Sequence, residues 1–67
     1  MDKFLVNLIN EQKRISAHAD NLEAFLLSPR SSKIDRREIP VLHEQLMAMK
    51  KYNEALIVRL RMHDIPV

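Results

Sequence analysis

The run from Ile39 to Leu60 constrains this chain more than any other part of it. Ile39, Leu42, Leu46, Met49, Leu56 and Leu60 recur at steps of three and four, interrupted once by Asn53. That is the spacing of a helical stripe that must be buried against another helix. A second stripe lies within reach in the same chain. From Asp2 to about Leu27, Leu5, Leu8, Ile15, Ala19, Leu22 and Leu26 share one face, with Gln12 as its one polar member.

What separates the two stripes is too short to link independent domains. Ser28-Pro29 ends the first helix, because the residue before a proline avoids the helical region and Pro29 has no amide hydrogen to donate. The expected plan is a single helical hairpin over residues 1–67: helix one over about 2–28, a loop over about 29–35, and helix two over about 36–63. Asp35 followed by Glu38 has the form of a capping box at the second start. Pro40 allows two arrangements: it sits in the first turn of a helix beginning near Arg36, or a short turn precedes a helix that begins at Pro40 itself. Pro66 stops helix two, and Asp64 to Val67 should fray. In an antiparallel hairpin Leu26 meets Leu42, Leu22 meets Leu46 and Ala19 meets Met49, while Gln12 approaches Asn53 as a polar layer that fixes register.

Composition agrees with an all-α chain. It has no Gly, few aromatics and 30% charged residues, which favours long helices over sheets and tight turns. Yet 67 residues with no Cys to form a disulfide bury little apolar surface on their own. His18, His43 and His63 are too scattered in sequence to suggest a metal, and no cofactor is expected. Self-association is the expected remedy. Helix two carries a second apolar line, Val41, Ala48, Ala55 and Met62, and helix one offers Phe4, His18 and Phe25 with Ala17 and Ala24 beside them. A hairpin cannot bury these as well, so the expectation is a homo-oligomeric helical bundle, at least a dimer.

The formal net charge of +2 is far from that of a dedicated duplex-DNA binder. The apolar patch Phe4 to Ile9 is broken by Asn7 and closed by Asn10 and Glu11, too short and polar for a signal peptide or membrane span. A cytoplasmic location is expected.

Two places could hold a ligand. Arg30, Lys33, Arg36 and Arg37 cluster at the loop and the start of helix two, where free amides and the helix dipole add to the charge. This is either a phosphate-docking site or a solvated hairpin tip. Gln45, Met49, Tyr52 and Arg59 follow steps of four, three and seven along one side of helix two. Tyr52 could stack on a base, Gln45 bond its edge and Arg59 pair with a phosphate, or the group is ordinary packing with a surface arginine. Catalysis finds no support. His43 and Glu44 point apart on a helix, Met47 stands where an HExxH motif needs its second His, and there is neither Gly for a phosphate loop nor a Cys nucleophile. No enzyme is expected.

The residues resemble a family of short phage-encoded helical-hairpin proteins first catalogued in crAss-like phages. Glu11, Ile15, Leu22 and Phe25 match in helix one. Leu42, Gln45, Met49, Tyr52, Leu56 and Arg59 match in helix two, where the family form is Leu-x-x-Gln-x-x-x-Met-x-x-Tyr. The resemblance implies a small phage accessory protein. In size and design it is similar to phage sponges that bind cyclic nucleotide immune signals without cleaving them. A homo-oligomer binding a cyclic dinucleotide or related signal in the infected host cytoplasm is the expectation that follows. Two alternatives stay open: a coiled-coil scaffold that binds another protein through the second apolar line, and a four-helix RNA-binding dimer using Lys50, Lys51, Arg59 and Arg61.

Overall fold

The computed structural model describes residues 2–67, and two long helices account for most of them. The first, α1, runs Lys3–Leu27. It starts where Asp2 accepts a hydrogen bond from the Phe4 amide at 2.9 Å, relieving one of the free donors of a first turn. It stops at Ser28, whose extended backbone turns the chain into Pro29.

The connection is more ordered than the expected loop over 29–35. Pro29–Lys33 forms a 3-10 turn held by its serines. The Ser28 hydroxyl accepts from the Arg30 amide at 3.2 Å, Ser31 donates to the Ser28 carbonyl at 2.9 Å, and Ser32 donates to the Pro29 carbonyl at 2.7 Å. Short hydroxyl side chains can supply such local bonds where no glycine is present to relax the backbone.

The second helix, α2, runs Glu38–Met62, starting between the two positions the sequence leaves open, Arg36 and Pro40. The expected capping box does not form. The Asp35 carboxylate accepts from the Arg37 amide at 2.9 Å, two residues on, and also binds the Arg37 guanidinium. An aspartate used this way makes a turn, which holds residues 36 and 37 outside the helix. Pro40 is then the third residue of α2, a first-turn position whose amide would have no intrahelical acceptor.

The far end of α2 also departs from expectation. Instead of fraying from Asp64, the chain is held there: the Ile65 amide bonds the Leu60 carbonyl and the Asp64 amide bonds the Arg61 carbonyl, both at 3.0 Å. Asp64 has φ of 58°. This is a Schellman cap with aspartate at the left-handed position usually held by glycine. Its apolar contact is present too, since Ile65 packs against the cluster of Leu8, Leu56 and Leu60.

The helices lie antiparallel. Gln12 Nε2 donates to Asn53 Oδ1 at 3.0 Å, Lys50 Nζ meets Glu23 Oε2 at 2.7 Å, and the Phe4 ring stands edge-on to His63 at 6.0 Å. The interior is thin. Leu8, Ala19, Leu46, Leu56 and Leu60 are its buried apolar members, with Leu56 and Leu60 each only 1% exposed. The remaining residues of the two predicted stripes are all partly buried and none is exposed, so the seam follows the spacing read from the sequence. The result is a rod of 44 × 16 × 15 Å. Among the described residues no helix is long and apolar enough to cross a membrane.

Candidate functional site

The eight residues singled out in the sequence fall into two separate places. Arg30, Lys33, Arg36 and Arg37 sit at the turn, and Gln45, Met49, Tyr52 and Arg59 lie along α2. From the start of α2 at Glu38 to Tyr52 is fourteen residues, or roughly 21 Å along the axis at ~1.5 Å per residue, and Arg36 lies before that start. One chain does not bring the basic turn to the tyrosine.

At the turn the four cations differ in what they touch. Arg37 is held by Asp35, with Nη2 2.6 Å from Oδ2. That guanidinium holds the Asp35 carboxyl below its ordinary value, first through the side-chain bonds and then through the Arg37 amide. Its charge is therefore partly neutralised locally. Arg30 lies over the Phe25 ring at 6.0 Å, and Lys33 is exposed. Arg36 lines an open depression of about 710 Å³ with Ser31, Ser32, Ile39 and Pro40. It is the arginine of this group with an exposed concave setting.

Tyr52 is 43% exposed and faces the neighbouring helix. With Glu11, Arg14, Ile15 and His18 of α1 it lines a depression of about 160 Å³. An aromatic face beside a guanidinium and an imidazole can stack a base and receive a phosphate, against the opposing charge of the Glu11 carboxylate in the same lining. The sequence reading did not place Arg14 or His18 here. The signal was present: the hairpin register that sets Gln12 against Asn53 also sets Tyr52 against the next turn of α1, where residues 11, 14 and 18 share a stripe. Met49 is half-buried and belongs to the seam, whereas Gln45 is exposed one helical turn from it. Arg59, two turns beyond Tyr52, lies over the Phe4 ring at 5.9 Å.

A family model described as Sequestin matches residues 2–62, which span α1, the turn and α2 to its last residue. The chain belongs to the Sequestin family. Both candidate places fall inside the match, and the Schellman cap after His63 falls outside it. The family name speaks of sequestration, which is binding and holding. Neither a curated protein nor a solved structure matches the chain.

Proposed function

We propose that this chain is a non-enzymatic sponge of phage origin that binds a cyclic oligonucleotide immune signal and keeps it from its receptor. The observation that carries this reading is Tyr52, an exposed aromatic ring set in a depression beside Arg14 and His18, in a chain whose family is named for sequestration. Arg59 and the basic turn add cations that suit phosphate. The depression is about 160 Å³, below the ~300–1,000 Å³ of typical ligand pockets. A dinucleotide therefore needs a pocket completed by a second chain. Bases stack on Tyr52, Gln45 bonds a base edge, and phosphates meet Arg59 of one chain with Arg36 or Arg37 of another.

The test is calorimetry of the purified protein against a panel of cyclic di- and trinucleotides, followed by denaturation and analysis of the released ligand. Submicromolar binding with intact nucleotide recovered supports the sponge, and a cleaved product refutes its non-enzymatic character. Tyr52→Ala and Arg14→Ala should each weaken binding by about 1–3 kcal/mol, the scale of a base stack or a charged hydrogen bond. Wild-type affinity in both variants, or no heat with any nucleotide, would refute the site. A second reading, a scaffold that binds another protein through its outer apolar line, is favoured by the exposure of Val41 at 59% and Met62 at 75%.

A further inference from the structure

The outer face of α2 has an order of its own. Val41, Ala48, Ala55 and Met62 repeat every seven residues on the side turned away from the seam, and all four are exposed. Seven residues make nearly two turns, so the row runs almost straight along the helix. On one flank lies a second row of the same period, Glu38, Gln45, Tyr52 and Arg59. On the other lie Glu44, Lys51 and Val58. A thin hairpin with an apolar row open to solvent and charged rows on both sides has the make-up of a helix interface that lacks its partner.

We infer that the partner is a second copy of this chain, with the two α2 helices packed antiparallel about a two-fold axis at Ala48. The charges decide both the occupant and the register. A two-fold axis perpendicular to two antiparallel helices sets each flanking row against its own copy, running the other way. With Ala48 on the axis, Val41 meets Ala55, and each Glu44 falls opposite Lys51 of the other copy. On the opposite flank Glu38 falls opposite Arg59, and Gln45 opposite Tyr52. Each pairing occurs twice and no like charges meet. Sliding by one heptad, so that Ala48 meets Ala55, sets Lys51 against Lys51. A parallel pairing sets Glu44 beside Gln45 and Lys51 beside Tyr52, and it uses neither acid for Lys51 or Arg59.

The ion pairs among the described residues are Arg37 with Asp35 and Lys50 with Glu23, which leaves Glu38, Glu44, Lys51 and Arg59 out of both, and of these Arg59 also lies over the Phe4 ring of its own chain. Alanine on the axis lets the backbones approach to the near end of the ~8–10 Å range for packed helices. The same geometry brings the start of α2 in one chain level with Arg59 of the other. The assembly does not depend on nucleotide, so its test stands apart from that of the proposed ligand.

The chain has no cysteine, which permits a direct test on protein refolded free of ligand. Cα atoms facing each other across closely packed helices come within the ~4.4–6.8 Å span of a disulfide. Ala48→Cys should therefore give a disulfide-linked dimer on mild oxidation. Ala55→Cys should not, because its two copies stand fourteen residues apart along the axis, or ~21 Å. Linkage through Cys at 55 without linkage at 48 would overturn the register. Charge exchange supplies a second readout at positions that are exposed in the hairpin. Glu44→Lys and Lys51→Glu alone should each raise the dimer dissociation constant about tenfold at low salt, since each creates two repulsive pairs. Mixing the two variants should restore wild-type association as a heterodimer, because every Lys then faces a Glu. Absence of rescue on mixing, or a wild-type chain that sediments as a monomer at high micromolar concentration, would overturn the proposal and leave the face to a different protein.

Discussion

Gln12 and Asn53 are the polar pair inside an otherwise apolar seam, and their hydrogen bond is made where Gln12 is buried. A buried amide that loses its partner keeps its desolvation cost, while replacing both members by hydrocarbon removes that cost. Asn53→Leu alone should therefore destabilise by about 1–3 kcal/mol in urea unfolding. Combined with Gln12→Leu it should recover most of the loss, and with the polar layer gone the two helices should slide more easily. This pair was legible in the sequence, because an antiparallel hairpin brings the one polar interruption of each apolar stripe to within a helical turn of the other. Asp64 was not readable. A sequence scan looks for glycine at a helix end, and here an aspartate at φ of 58° takes the left-handed position. Asp64→Gly should raise stability by roughly 0.5–1 kcal/mol by removing the steric cost of a side chain there. Thermal unfolding followed by circular dichroism measures it, and a loss of stability would show that the aspartate contributes something the cap does not require.

At the level of whole helices, periodicity carried most of the information. Both stripes pack as their spacing requires, and Leu56 and Leu60, at 1% exposure, mark where the interior is deepest. Leu56→Ala should cost about 2–5 kcal/mol, a large share of the stability of so small a core. Chemical denaturation would measure this, and a cost under 1 kcal/mol would mean that the hairpin recloses around the gap. Termini were harder to read, for an identifiable reason. Asp35 could bond an amide two or three residues on, and its bond to the Arg37 amide sets the start of α2 at Glu38, between the two starts the sequence allows. The serines of the connection were legible as polar, but not as a 3-10 turn, because that depends on hydroxyl directions that composition does not specify. In the candidate site the α2 residues stood out through their unusual types. Arg14 and His18 did not, since nothing in α1 marks them until the hairpin register brings them to Tyr52.

Across the whole molecule, the separation of the basic turn from Tyr52 makes the proposed ligand site depend on the proposed dimer, though not the dimer on the ligand. Arg59 figures in both proposals, opposite Glu38 of a second copy and as a phosphate partner, so its loss can act by either route. Arg59→Ala is best measured in the Ala48→Cys dimer after oxidation, where association is covalent. A residual loss of about 1–3 kcal/mol in nucleotide affinity there would assign Arg59 to the ligand. Unchanged affinity would assign it to the interface alone. The rod shape, 44 Å long and about 15 Å across, bears on how any such assembly is seen. A particle nearly three times longer than wide drags more on solvent than a sphere of its mass, so a single hairpin elutes early from a sizing column and passes for something heavier. Joining two rods along their sides makes a stouter particle, while joining them end to end makes a thinner one. Side-by-side pairing should therefore increase the sedimentation coefficient by more than the doubling of a sphere's mass would, and end-to-end pairing by less.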